Sequence, residues 1–191
     1  MGGTVVGRVH KQPKEVPMRK TSMTVIGVAV AGLVATWAGP AAAGGGNSTI
    51  VGVGPDYVNL DPSLAPNPLA NAVVVVSAGE IGSGNLQITL DVSGIEAPAG
   101  TRLGAHIHTN PCGTAATASG GHYQNPDGGT PLKQREVWLD FTVTANGTGH
   151  SVATRNWLIP NFSERSLVIH VTHTDHQTGV AGARLACTDI D

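Results

Sequence analysis

From residue 71 onward the chain is built of short apolar segments whose pattern is typical of β-strands. Residues 85–93 (NLQITLDVS) and 137–145 (VWLDFTVTA) alternate apolar and polar positions, so their apolar side chains would share one face of a strand. Residues 71–78 (NAVVVVSA) are a β-branched run, and residues 165–172 (RSLVIHVT) alternate again. Further strands are predicted at 49–53, 102–109, 150–156 and 183–187.

Glycine, proline and asparagine separate these segments, and no window has the periodicity of a helix of ordinary length. Asn146 and Gly147, followed by Gly149, predict a tight hairpin that leads from residues 137–145 into residues 150–156. Many short strands joined by such turns predict an all-β fold, either a sandwich or a barrel.

Residues 18–43 (MRKTSMTVIGVAVAGLVATWAGPAAA) are typical of a secretory signal peptide. Arg19 and Lys20 precede a short apolar run, and small residues lead to a predicted cleavage site after Ala43. The apolar run is short for a membrane span of about 20 residues, although an uncleaved anchor is the alternative. We interpret residues 1–17 as a dispensable extension or a mis-called start.

The segment after the predicted cleavage site divides into a flexible leader, residues 44–70, and a folded domain, residues 71–191. Of the 11 Lys and Arg only 6 follow the site, against 12 of the 13 acidic residues, so the exported part is net negative. Such a charge does not attract nucleic acid or an anionic membrane. We expect a secreted or extracytoplasmic protein that binds no nucleic acid and is not inserted in a membrane after cleavage.

The chain has two cysteines, Cys112 and Cys187. In an exported protein an even number of cysteines indicates disulfides, and two cysteines allow one pairing. The bridge would close a loop of about 75 residues and would stabilise the fold by about 4 to 5 kcal/mol on the chain-entropy model.

Histidines in strand and turn contexts indicate a metal site. His106 and His108, in GAHIHTNPCG, share one face of a predicted strand, as two ligands of one ion would. His122 lies in the glycine-flanked turn GGHYQNP, where the backbone can approach closely. His170 interrupts the apolar strand LVIHV, where a buried imidazole needs a partner. Imidazole nitrogens suit copper, zinc, nickel and iron, and a tetragonal all-nitrogen ligand set favours copper.

Taken in order, GAHIHTNPCG, GGHYQNP, RSLVIHV and GARLAC resemble the copper/zinc superoxide dismutase family over residues 73–190. The resemblance implies a Greek-key β-sandwich or flattened barrel of about eight antiparallel strands. It implies that copper is bound by four histidines, of which one bridges copper and zinc in the two-metal members; the copper ligands would be His106, His108, His122 (the bridging one) and His170.

The same resemblance implies an enzyme that disproportionates superoxide to oxygen and hydrogen peroxide by Cu(II)/Cu(I) cycling. Cys112 and Cys187 match the disulfide that ties the ligand loop to the last strand. Arg184, in GARLAC, matches the arginine that faces copper and receives the superoxide anion, and His122 is the second residue with a predicted catalytic role. The implied partners are superoxide and a copper donor.

The loop after His122 departs from the zinc-binding members. Between His122 and Val137 the chain reads YQNPDGGTPLKQRE, which contains no histidine. Glu136 falls where one zinc histidine would lie and Leu139 where the aspartate would, so zinc is predicted to be absent. Together with the short loop after His170, this resembles the copper-only branch. We predict that the Glu136 carboxylate accepts the N–H of His122 on the side of the ring away from copper. The alternative is that Glu136 is a solvated acid at a strand end.

His173 and His176, in HVTHTDH, alternate faces if the segment is extended, so we interpret them as exposed loop histidines. Two other functions stay open. The four histidines could serve a non-catalytic extracytoplasmic copper-binding or carrier protein, which does not need Arg184. A structural β-sandwich that has lost its metal is disfavoured, because polar groups are costly in a core without a purpose.

Overall fold

The structure is a computed structural model that describes residues 49–53, 57–58, 64, 66–129 and 132–190. The predicted signal peptide and most of the predicted leader lie outside the described residues. Nine strands follow one another along the described chain: β1 (Thr49–Val53), β2 (Tyr57–Val58), β3 (Val73–Ile81), β4 (Asn85–Ser93), β5 (Arg102–His108), β6 (Phe141–Thr142), β7 (Gly149–Arg155), β8 (Ser166–His170) and β9 (Arg184–Asp189).

The strands form two antiparallel sheets, ordered β1-β3-β4-β7 and β2-β9-β8-β5-β6. In the first sheet β3 and β4 pair over their whole length, from Val73 opposite Ser93 to Ile81 opposite Asn85. The chain passes between the sheets after β4 and again after β6 and β7, as a Greek-key β-barrel requires. The predicted all-β Greek-key fold is confirmed.

The core lies between the two sheets and follows the alternation seen in the sequence. On β4 the side chains of Leu86, Ile88, Leu90 and Val92 are at most 7% exposed. The second sheet contributes apolar side chains from alternate positions of its two central strands, namely Leu103, Ala105, Ile107, Leu167 and Ile169. Alternation therefore turns the intervening positions of β5 and β8 to the outer face of that sheet.

That outer face is also buried, because the loop after β8 packs on it. Every residue of β5 after Arg102, and every residue of β8, is buried. A Cβ on Gly104 would lie 2.7 Å from both the Ala181 side chain and the Thr172 carbonyl, so the loop after β8 packs directly on β5. The strand face that carries histidines is thus closed off from solvent.

Residues 137–145 were predicted as one strand, but only Phe141–Thr142 forms one. Val137, Leu139, Phe141 and Val143 are buried as the alternation predicts. The ladder is interrupted because the Asp140 side chain, rather than the backbone, accepts the Ala105 N–H at 3.1 Å. A side chain that bonds the neighbouring strand in this way takes the place of a ladder hydrogen bond.

The predicted turn at Asn146 and Gly147 forms, with Gly147 at φ 67°, but it does not join two paired strands of one sheet. β6 pairs with β5 and β7 pairs with β4, so the turn leads from one sheet to the other. Gly149 permits this crossing, because a Cβ there would lie 2.2 Å from the Phe141 ring.

The α-helical structure of the described residues is one turn, α1 (Leu132–Arg135), as the lack of helical periodicity predicts. None of the helices among these residues has the length and apolar character needed to cross a membrane.

Candidate metal site

Strand register brings three of the four predicted histidines to one place. His106 and His108 lie on β5, and Gly104 of that strand is paired with His170 of β8. All three histidines are at most 3% exposed. The fourth, His122, forms an isolated bridge with His108, and the Tyr123 N–H donates to the Ile107 carbonyl at 2.8 Å. The glycine-flanked turn is thereby held against β5.

Two of the rings are oriented by backbone carbonyls. His108 Nδ1 lies 3.1 Å from the Gly120 carbonyl, and His170 Nδ1 lies 3.0 Å from the Gly182 carbonyl. A carbonyl oxygen only accepts, so each Nδ1 carries the hydrogen and each Nε2 presents a lone pair. The two Nε2 atoms face each other at 3.4 Å.

His106 is oriented through a hydroxyl. Its Nε2 lies 2.7 Å from Thr174 Oγ1, which donates to Asp140 Oδ1 at 2.5 Å. Because the threonine hydrogen goes to the carboxylate, His106 Nε2–H donates to Thr174 and the lone pair remains on Nδ1. That Nδ1 is buried, and within the described part of the chain it has no hydrogen-bond partner. Thr174 carried no signal in the sequence, since its role depends on a loop folding over β5.

His122 is the one member whose outer nitrogen lies within hydrogen-bond distance of an acid; His106 Nε2 lies 3.8 Å from Asp140 Oδ1. Its Nδ1 lies 3.0 Å from Glu136 Oε2, which also accepts from Trp138 Nε1 at 2.7 Å. Gln124 Nε2 donates to the other carboxylate oxygen at 2.8 Å. Glu136 is 2% exposed, so it is not a solvated acid at a strand end. Burial alone would raise the pKa of Glu136, but the hydrogen bonds from His122, Trp138 and Gln124 outweigh it and the pKa lies below its usual value.

The four rings converge, and one nitrogen of each lies within 4.8 Å of the others. Burial, followed by the charge of neighbouring rings, lowers the pKa of His108 to about 2. Burial likewise lowers the pKa of His170 to about 4, and that of His106 falls still further for the same reason. Burial therefore disfavours the protonated form of these three rings at neutral pH. Four imidazoles around a common point, one of them with a buried nitrogen that has no other partner among the described residues, fit a copper ion.

Arg184 opens β9 directly opposite His170. Its guanidinium donates to the Ala116 carbonyl, to Ser119 Oγ at 2.8 Å and to the Gly120 carbonyl at 2.6 Å. These bonds use three of its five N–H donors. The predicted disulfide is confirmed: Cys112 and Cys187 are bonded, with Cα atoms 5.9 Å apart. The loop that carries these acceptors is thus fixed to β9 both covalently and through Arg184.

His173 and His176 were interpreted as exposed loop histidines, and for His173 this is wrong. His176 is exposed, but the His173 side chain is 26% exposed and lies 3.4 Å from Asp140. Together Asp140, His173 and His176 bring potential ligand atoms within 4.8 Å of one another. No local pattern indicated this cluster, because Asp140 and His173 are more than 30 residues apart in the sequence.

Comparison with known proteins agrees with this geometry. The model of the copper/zinc superoxide dismutase (SODC) family matches residues 70–190. The copper/zinc superoxide dismutase from Brucella abortus is 22% identical with a TM-score of 0.54, covering 75% of this chain and 99% of its own. A superoxide dismutase-like protein from Bacillus subtilis is 17% identical with a TM-score of 0.53, covering 74% and 97%.

The fold is shared more widely than one activity. A structure described as the clock protein EA4 is 16% identical with a TM-score of 0.55, covering 75% of this chain and 92% of its own. A search of curated proteins gave no significant match. At these identities the structural likeness establishes the fold, and the reaction has to be argued from the site itself.

Proposed function

Because the chain belongs to the copper/zinc superoxide dismutase family, we propose that it is an exported, copper-dependent superoxide dismutase. Each cycle would convert two superoxide anions and two protons into one molecule of oxygen and one of hydrogen peroxide. The observation that carries the proposal is the convergence of four histidines, among them the unpartnered buried Nδ1 of His106.

The copper ligands would be His106 through Nδ1 and His108, His122 and His170 through Nε2. Copper bound there would supply a one-electron redox couple. We propose a copper-only site at this position, because the described part of the loop between His122 and Glu136 offers no histidine. A copper donor would deliver the ion.

His122 would hold and release a proton during turnover. The partners of the other three rings are a hydroxyl and two carbonyls, whereas the partner of His122 is a carboxylate. A carboxylate stabilises a protonated imidazole far better than a neutral acceptor does. His122 is also the most accessible of the four, with 18% of its side chain exposed. Glu136 is then a positioning residue that acts through His122.

Arg184 would receive superoxide. Two loop carbonyls and the Ser119 hydroxyl accept three of its N–H groups and fix its orientation, and no described residue is recorded as accepting the other two, which could bind an anion. A charge-assisted bond of this kind orients a small anion. Because the exported part of the chain is net negative, this local charge has to provide the attraction that the whole protein does not.

Export is supported by two observations. Residues 18–43 have the features of a signal peptide. Cys112 and Cys187 form a disulfide, and disulfides persist in oxidising compartments and are rare in cytosolic proteins. We propose that residues 71–191 are the secreted dismutase domain, preceded by a leader at 44–70.

The test is metal content and superoxide removal after loading with copper, first in the unaltered protein and then in Arg184→Ala. We expect copper at the four histidines, rapid turnover, and a loss of at least tenfold in activity with copper retained in the variant. Arg102→Ala, which removes an exposed positive charge from β5, is the charge-matched control. Tight copper binding with no turnover in the unaltered protein would favour the carrier instead.

Glu136→Gln tests the proton role of His122. The change keeps the shape and an acceptor but removes the charge next to the imidazole. We expect a lower rate with a changed pH profile, at unchanged copper stoichiometry. If the rate and its pH dependence stay the same, Glu136 has no part in catalysis.

A further inference from the structure

We propose that Asp140, His173 and His176 form a second metal site, which takes a divalent ion of the zinc class. The three residues share no member with the four-histidine cluster, and their potential ligand atoms lie within 4.8 Å of one another. Asp140 precedes β6, and the two histidines lie in the loop after β8. The site is therefore unrelated to the loop that follows His122.

The orientation of His173 favours a cation beside it. Its Nδ1 lies 3.0 Å from the Thr174 carbonyl, so Nδ1 carries a hydrogen and donates it. The other nitrogen, Nε2, faces Asp140 Oδ2 at 3.4 Å. In a neutral ring this nitrogen presents a lone pair to a carboxylate oxygen, which is repulsive. A metal ion or a proton between the two atoms would remove this repulsion.

The separation favours a metal ion. A charge-assisted N–H···O bond spans about 2.7 to 2.9 Å, and the His150–Asp91 pair of this chain is of that kind at 2.7 Å. An ion with tetrahedral bonds of about 2.0 to 2.2 Å holds neighbouring ligand atoms about 3.4 Å apart. The His173–Asp140 distance of 3.4 Å therefore matches an edge of such a tetrahedron.

Asp140 is fixed so that one oxygen is available. Its Oδ1 accepts from the Ala105 N–H at 3.1 Å and from Thr174 Oγ1 at 2.5 Å. With Oδ1 occupied on the interior side, Oδ2 is turned toward His173. An acid held in this way loses little conformational freedom when it binds an ion.

His176 completes the site from the solvent side. Asp175 accepts the backbone N–H groups of Gln177 and Thr178, both at 2.8 Å, and this tight turn places the His176 ring beside His173. The ring lies 5.4 Å from that of His173 and 5.3 Å from that of Trp138. His176 is exposed, so the fourth position of the ion would face water. Two imidazoles, one carboxylate and a water are a zinc-type ligand set.

The test compares the unaltered protein with His176→Ala, because His176 is not one of the proposed copper ligands. The four-histidine site is first filled with copper, and Zn²⁺ binding is then measured by calorimetry. Co²⁺ absorption reports tetrahedral coordination in parallel. We expect one further equivalent of Zn²⁺ in the unaltered protein and at least tenfold weaker binding in His176→Ala, with copper content unchanged. His173→Ala should behave in the same way.

His150→Ala is the matched control, because His150 also pairs with an acid but has no third ligand near it among the described residues. It should bind Zn²⁺ as the unaltered protein does. Equal Zn²⁺ affinity in all variants, or the absence of a further equivalent, overturns the proposal and assigns the His173–Asp140 contact to a proton. If copper fails to bind, the same comparison on the metal-free protein still decides the question.

Discussion

Removal of the Cys112–Cys187 bridge, as the double variant Cys112→Ser with Cys187→Ser, gives the sharpest test of how this fold is held together. The bridge spans 75 residues of sequence. Releasing it returns loop-closure entropy to the unfolded chain, equivalent to about 4.5 kcal/mol at 25 °C for a loop of that length. A domain of this size loses about 3 to 4 °C in Tm per kcal/mol, so a fall of about 15 °C is expected.

Loss of the disulfide should also weaken the proposed copper site. The loop that begins near Cys112 supplies the Gly120 carbonyl, which accepts from both His108 Nδ1 and the Arg184 guanidinium. When the covalent tie is lost, hydrogen bonds alone hold this loop on β9. We therefore expect faster loss of copper in the double variant, even under conditions where it stays folded.

Urea unfolding followed by tryptophan fluorescence measures the stability difference, and a copper chelator measures the rate of release. The reduced, unaltered protein is the control, since it should match the double variant. A stability difference below about 1 kcal/mol, with an unchanged dependence on urea, would refute the entropic argument. Unchanged copper release would show that hydrogen bonds are enough to hold the loop.

Three further predictions concern backbone, protonation and core. Gly120→Ala should destabilise the protein by about 1 to 3 kcal/mol and speed copper release. Gly120 has φ 72°, and a Cβ there would lie 2.2 Å from a threonine oxygen. The control is Gly84→Ala, at φ 75° with open space around it, which should show the backbone strain without the steric clash. The metal-free protein should lose stability as the pH falls below about 6.5, because burial lowers the pKa of His170 to about 4 and the unfolded chain binds more protons in that window. Urea unfolding between pH 7 and 4 measures this loss, on the order of 3 kcal/mol from His170, and a flat profile would contradict it. Leu90→Ala, at a fully buried position of β4, should cost about 2 to 5 kcal/mol in unfolding free energy, whereas a cost below 1 kcal/mol would mean that the core collapses around the cavity.

Much of the fold could be predicted because strand formation leaves a local trace in the sequence. Alternation identified β4 with its bounds, and its four apolar side chains are the ones buried between the sheets. The same period of two placed His106 and His108 on a common face. The turn at Gly147 could be predicted as a turn, but not the sheet change that it makes, since that depends on how Gly149 packs against Phe141.

The sequence by itself determined the residue types and their faces: a strand with paired histidines, one possible disulfide, and an acid at Glu136 near the turn of His122. Only the tertiary structure decided which nitrogen of each ring is free, because the partners are carbonyls and a hydroxyl on distant loops. It alone joined Asp140 to His173. A side chain's direction follows from its own strand, whereas its partners follow from long-range packing that no local pattern records.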